Sequence, residues 1–322
     1  MFKWGIIGTG GIARAFADDI INLGNHKVCA VLSRNIETAN KFSRSTTDCL
    51  SYEDQHAFLN DDNIDAVYVA TPNTLHCDQT ISALKCNKPT LCEKPFSMNS
   101  DEAYLMIQAS KKFSTTLLDG MWMRYLPHIL RLKEILNEGH IGDIQSIYAC
   151  HGQNLRWSNN PRLWTKELGG GALLDLGIYV VSFCHMILGK PDNIVSQSVF
   201  TDNNIDAKTT MIFKYNNGII ANLSCSMFDS QPNRAVISGT KGYIELNPTF
   251  YAPTSMKLSA NNGDIIHYKN EYKGHGLREQ AIEMEHCVKN KLIESPKMPH
   301  HETLEVINIM DEVRKKIGLK FN

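Results

Sequence analysis

The residues Gly8-Thr9-Gly10-Gly11-Ile12-Ala13 fit the pattern G-x-G-x-x-A and follow an apolar, strand-like run at 2–7. Where such a turn leaves a strand and opens a helix, the first glycine permits the tight turn. The second lets the backbone approach a pyrophosphate, the alanine allows close helix–sheet packing, and free helix N–H groups face the anion. A glycine turn without a ligand is the alternative, and position directly after a strand favours the binding turn. About 20 residues on, such a fold reads the adenosine ribose, and an Asp or Glu there suits a free 2′-hydroxyl. This chain instead ends its next apolar run in Leu32-Ser33-Arg34. The Arg34 guanidinium and the Ser33 hydroxyl suit a 2′-phosphate, with a solvated surface arginine as the alternative.

Three further segments hold candidate chemistry. Thr71-Pro72-Asn73, with His76 three residues later, follows an apolar run, and strand ends of this kind are where ligands sit in open α/β sheets. A routine turn and helix start reads equally well. Glu93-Lys94-Pro95 ends another such run and would aim Lys94 into the same crevice, although a lone lysine is usually solvated. Gly169-Gly170-Gly171-Ala172-Leu173-Leu174-Asp175-Leu176-Gly177-Ile178-Tyr179 is the richest segment. Its glycines bring backbone close to something, and Asp175 and Tyr179, four apart, share a helix face; a surface aspartate and a core tyrosine are the alternatives. No His, Cys, Asp or Glu spacing suggests a metal site.

The elements that must position these residues follow from periodicity. Strand patterns at 3–7, 27–32, 66–70, 90–92 and 115–119 alternate with helical ones, the rhythm of a parallel sheet. Ile12, Phe16, Ile20 and Leu23 form one apolar stripe on the first helix, which Gly24-Asn25 ends. Helices are expected at 77–86 and at 100–113, the second capped by Ser100. Beyond about residue 122 strands follow one another at 144–151, 194–200, 207–215, 219–227, 235–238 and 243–246, with a hairpin turn at Asn216-Asn217-Gly218. Helices are expected at 173–188, 277–291 and 301–317. With 322 residues against a prior of ~150 per domain, we expect two domains, 1–122 and 123–322, the last helix able to pack back on the first.

Composition narrows the class. Thirty-three Lys plus Arg against 34 Asp plus Glu argues against a nucleic-acid or polybasic membrane binder. Nine cysteines without a Cys-x-x-Cys pair indicate neither a disulfide framework nor a zinc ribbon. No leader pattern is seen, and no stretch approaches the ~20 uninterrupted apolar residues of a membrane span. A cytoplasmic protein with a small-molecule substrate is expected.

In order and spacing, the glycine turn, Thr71-Pro72-Asn73 with His76, Glu93-Lys94-Pro95 and the 169–179 segment resemble the glucose-fructose oxidoreductase/inositol dehydrogenase family of NAD(P)-dependent oxidoreductases over nearly the whole chain. Ser33-Arg34, Met121-Trp122-Met123-Arg124-Tyr125-Leu126-Pro127 and Asp175-x-x-x-Tyr179 are most similar to its trans-1,2-dihydrobenzene-1,2-diol dehydrogenase/NADP-dependent D-xylose 1-dehydrogenase branch. Many relatives carry histidine where Tyr179 stands.

The resemblance implies an α/β Rossmann domain followed by an α+β domain with an open, predominantly antiparallel sheet. Its outer face would join a homodimer or higher homo-oligomer, with Ile212, Val236 and Ile244 on strands apolar on both faces. It implies NADP(H) rather than NAD(H), held by Gly8, Thr9, Gly10, Gly11, Ile12, Ser33, Arg34, Thr71, Pro72, Asn73, His76, Glu93 and Lys94. Lys94, Tyr179 and Asp175 would be catalytic, and Trp122, Asp175 and Tyr179 would meet a sugar or cyclic diol whose carbinol carbon exchanges hydride with the nicotinamide. The Lys94-Pro95 bond would be cis. A non-catalytic dinucleotide sensor and an NAD-dependent inositol or sugar dehydrogenase are the rival readings.

Overall fold

A computed structural model describes residues 1–46 and 48–321, which divide into two compact units: Met1–Tyr125 with Gly274–Leu304, and Leu126–Lys273 with the chain from Glu305 on. In the first, six strands are described: β1 (Phe2–Ile7), β2 (His26–Leu32), β3 (Leu50–Tyr52), β4 (Ala66–Val69), β5 (Thr90–Glu93) and β6 (Leu117–Gly120). All pair in parallel in the order β3-β2-β1-β4-β5-β6, the doubly wound arrangement whose strand order reverses between β1 and β4. Helices α1 (Gly11–Ile20), α2 (Ile36–Ser45), α3 (Gln55–Leu59), α4 (His76–Lys85) and α5 (Ser100–Phe113) alternate with the strands. Phe16 and Ile20 of the expected stripe are fully buried, whereas Ile12 is 37% exposed at the helix start.

Several boundaries differ from expectation for local reasons. The cap of α5 is Asn99, whose side chain accepts from the Glu102 N–H at 2.9 Å, and Ser100 is the first helical residue. β6 starts at Leu117, because Thr115 and Thr116 turn their hydroxyls to the backbone carbonyls of Phe113 and Leu292. The segment 274–304 joins the first unit because buried Asp19 accepts from the N–H groups of His275, Gly276 and Arg278, at 3.0–3.2 Å, capping the helix Arg278–Lys289. His26 Nε2 meets Glu285 of that helix at 3.0 Å.

The second unit holds β7 (Ile144–Gly152), β8 (Asn193–Phe200), β9 (Asp206–Lys214), β10 (Ile220–Ser226), β11 (Ala235–Gly239), β12 (Gly242–Leu246), β13 (Met256–Ala260) and β14 (Ile265–Tyr268). They form one sheet, β14-β13-β12-β11-β7-β10-β9-β8, antiparallel except between β7 and β10. The Asn216-Asn217-Gly218 turn does join an antiparallel pair, β9 and β10. Helix α6 (Pro127–Asn137), a short α7 (Pro161–Trp164) and α8 (Ile178–Leu188) belong here. Lys166–Leu188 has the length and composition of a membrane span, but its most apolar window is 83% buried. Ile244, expected on a two-faced apolar strand, lies wholly inside; Ile212 and Val236 are half-buried on the outer face.

Candidate active site

The first unit brings its candidate residues to one edge of the parallel sheet, each just past the carboxyl end of a strand. Gly8, after β1, has φ +111, and a Cβ there would stand 2.6 Å from the Ala70 carbonyl oxygen, so only glycine fits. Thr9 continues the turn, and no side chain caps α1 at Gly10. A Cβ on Gly10 or Gly11 would meet nothing within 4 Å. The turn thus offers open space before uncapped helix N–H groups, a cradle that fits a pyrophosphate. After β2, the Ser33 hydroxyl lies 2.5 Å from that of Thr38, and Arg34 is exposed beside Asn35, whose side chain caps α2.

After β4 and β5 the arrangement is more closed. His76, read as a cofactor contact, is fully buried, with Nε2 3.0 Å from the Thr71 carbonyl and Nδ1 2.9 Å from the Pro95 carbonyl. It ties these two turns together. Thr71 donates to Gln79 at 2.6 Å; Pro72 precedes the short turn Asn73–Leu75, and Asn73 is buried. Glu93 is 3% exposed, and its oxygens accept from the Tyr68 hydroxyl and, at 3.0 Å, from the Lys94 N–H. That carboxylate braces the backbone of half-buried Lys94, and the Lys94-Pro95 peptide is cis, as expected. Trp122 is nearly buried past β6, near Asp119, whose carboxyl burial pushes up to about 7.

In the second unit the expected single helix at 173–188 is a wide i→i+5 turn, Leu173–Gly177, followed by α8. Such bulges often mark functional positions. The glycines before it serve packing: a Cβ at Gly170 would strike the Arg162 and Leu163 carbonyls at 2.7–2.8 Å, and one at Gly171 would strike the Asp206 carboxylate. Asp175, at the bulge, accepts from Arg162 Nη2 at 2.9 Å. Tyr179, 5% exposed, lies against two rings, those of His151 at 5.3 Å and Tyr251 at 4.5 Å. Arg162, His151 and Tyr251 escape the sequence reading. Arg162 carries only the weak signal of a helix start, Asn160-Pro161; His151 reads as the end of an apolar strand, and Tyr251 has no signal.

The two halves of the chain match two family models: an oxidoreductase family with an NAD-binding Rossmann fold over residues 2–120, and the GFO/IDH/MocA C-terminal domain over 129–245. A trans-1,2-dihydrobenzene-1,2-diol dehydrogenase of Xenopus laevis is 31% identical over 99% of both chains. One of Mus musculus is 30% identical over 99% of this chain and 98% of its own. A 3-ketoreductase from Actinomadura kijaniata, solved with NADP and TDP-benzene, shares the fold at TM-score 0.87 and 23% identity over 98% of each chain. An aldose-aldose oxidoreductase from Caulobacter crescentus does so at 0.87 and 22%, over 98% of this chain and 97% of its own. With both its Rossmann half and its sheet half matched, the chain belongs to the GFO/IDH/MocA oxidoreductase family.

Proposed function

We propose that the protein is an NADP-dependent oxidoreductase that exchanges hydride with a carbinol carbon of a sugar or cyclic diol. The observation that carries this reading is the open cradle at Gly10 and Gly11 with an exposed arginine, not a carboxylate, after β2. The named activities of the relatives support it.

Bound NADP supplies the hydride acceptor or donor. The glycine turn and the first N–H groups of α1 hold its pyrophosphate, and Ser33 and Arg34 take the 2′-phosphate. On oxidation the substrate loses hydride from carbon and a proton from its hydroxyl. Tyr179 receives that proton as a phenolate, and Lys94 is the residue whose ammonium would favour that ionised form. Asp175, held by Arg162, orients the hydroxyl, and Trp122 supplies an apolar wall. The enzyme works in the cytoplasm as a homodimer joined through the sheet face that leaves Tyr148, Val195 and Val199 exposed.

The test is NADP+ reduction with D-xylose or trans-cyclohexane-1,2-diol, and NADPH consumption with aldoses and diketones. Turnover preferring NADP(H) to NAD(H) supports the reading. Tight NADPH binding without turnover on any of these would make the protein a sensor, and preference for NAD(H) would remove Arg34 from the ribose site. Sedimentation at micromolar concentration showing only a 36.2 kDa species would remove the dimer.

A further inference from the structure

The rings around Tyr179 include a buried imidazole whose polar atoms are fitted one by one. His151, at the end of β7, is 1% exposed. Its Nε2 lies 3.0 Å from Gln153 Nε2, an amide nitrogen that only donates, so the ring presents a lone pair there. The ring proton is therefore on Nδ1, which donates to the Leu176 carbonyl at 3.2 Å. Leu176 lies in the wide turn, three residues before Tyr179, so the imidazole grips the backbone that carries the phenol. It also packs edge-on against the phenol at 64°. Tyr251 closes the group: its ring lies 4.1 Å from His151 and 4.5 Å from Tyr179, tilted about 30° to each, and its hydroxyl accepts from Gln153 at 3.3 Å.

We propose that His151, its tautomer set by Gln153 and its ring backed by Tyr251, is a positioning residue that fixes the Tyr179 phenol for proton transfer; the inference rests on Tyr179 being the proton acceptor. A buried apolar ring would fill the same space without the desolvation cost of two ring nitrogens. What the imidazole adds is a grip on the wide turn. That i→i+5 turn ends two residues before Tyr179, which lies in the first turn of the regular helix α8, so a hold on the turn is a hold on the start of that helix. A small displacement of a reacting group costs up to about 10²-fold in rate.

The holoenzyme is assayed with NADP+ and either D-xylose or trans-cyclohexane-1,2-diol. His151→Phe keeps a ring and loses both nitrogens; we expect kcat to fall roughly 10–100-fold, with KM and the NADPH Kd within about twofold. His151→Asn, which offers an amide N–H near the Nδ1 position, recovers part of that loss. In a Tyr179→Phe background His151→Phe has no further effect, because the group it positions is gone. Equal losses in both backgrounds would overturn the proposal by making His151 a general stabiliser, as would a His151→Phe enzyme of normal kcat beside an inactive Tyr179→Phe. Near-normal kcat in Tyr179→Phe alone would remove the proton-acceptor reading and this inference with it. If His151→Phe does not fold, Gln153→Leu, at a half-buried position, carries the same comparison: a kcat loss confined to the Tyr179 background supports the proposal, and an unchanged kcat overturns it.

Discussion

The glycine turn after β1 is made of backbone: its chemistry is the uncapped N–H groups at the start of α1 and the space in front of them, and its side chains matter by being absent. The group around Tyr179 is made of side chains, brought from positions 151, 179 and 251 and locked by ring contacts and single hydrogen bonds. The first tolerates little change in backbone conformation and much in its surroundings. The second inverts this: the backbone has only to bring the three rings together, and the chemistry lies in the side chains themselves. Binding an invariant anion suits the first construction, and holding one proton acceptor against a particular substrate suits the second.

The sharpest way to break that contrast is to remove chemistry from the side-chain site and ask whether the backbone site notices. Tyr179→Phe should lower kcat by roughly 10²–10⁴, the range of general acid–base catalysis, and leave NADPH affinity nearly unchanged. Lys94→Met should cost a similar amount, and the double variant little more than either, because both act on one proton. Additive losses would separate the two residues. Next in size is Arg34→Ala, which should weaken NADPH about 10–100-fold, the worth of a charge-assisted hydrogen bond, with little effect on NADH. Equal loss for both cofactors would place Arg34 elsewhere.

The glycines supply a finer test, since adjacent positions should fail differently. Gly8→Ala meets the Ala70 carbonyl and a φ of +111, and should lower stability by about 1–3 kcal/mol. A Cβ at Gly10 meets no protein atom within 4 Å, so Gly10→Ala should leave Tm unchanged, and the bulkier Gly10→Val should weaken NADPH roughly tenfold or more. A Gly10→Ala protein that melts early would mean that its openness is not reserved for a ligand.

How far the sequence could be read follows the same division. The parallel sheet apart from the three-residue β3, the glycine turn and strands β7 to β12 were legible because each depends on local spacing. The edge strand β14 and its neighbour β13 were not, since three of the four residues of β14 are exposed and its Ile265-Ile266-His267-Tyr268 lacks alternation. The return of 274–304 to the first unit was invisible because it hangs on Asp19, an aspartate inside an amphipathic helix that gives no local sign of capping residues more than 250 positions away. His76 is hard to read for the opposite reason: a histidine three residues past Thr71-Pro72-Asn73 looks the same in sequence whether it faces a ligand or, as here, two backbone carbonyls. Arg162, His151 and Tyr251 required the tertiary fold.

Each unit also buries one carboxyl pushed up to about 7 by desolvation, Asp119 in the first and Asp206 in the second, and the two should respond differently to neutralisation. An acid whose pKa is raised by folding holds its proton in the native state between its ordinary value, near 4, and about 7, while the unfolded chain releases it. Stability therefore falls as pH rises through that window, by at most about 1.4 kcal/mol per pH unit for each group, and levels off above it. Asp206 accepts from the Leu173 N–H at 2.7 Å and the Thr209 hydroxyl at 3.0 Å through Oδ2, while Oδ1 has no hydrogen-bond partner among the described residues. Asp206→Asn keeps one acceptor oxygen and removes the charge, so Tm should lose part of its slope between pH 4 and 7 and exceed wild type at pH 8. Asp119 differs in having the Arg124 guanidinium nearby, which favours its ionised form. Asp119→Asn should flatten the same window yet gain less at pH 8, because it gives up that attraction. Thermal melts of the two variants across pH 4–8 decide the matter: identical gains would mean that Arg124 does not distinguish the two sites, and unchanged slopes that neither carboxyl titrates there.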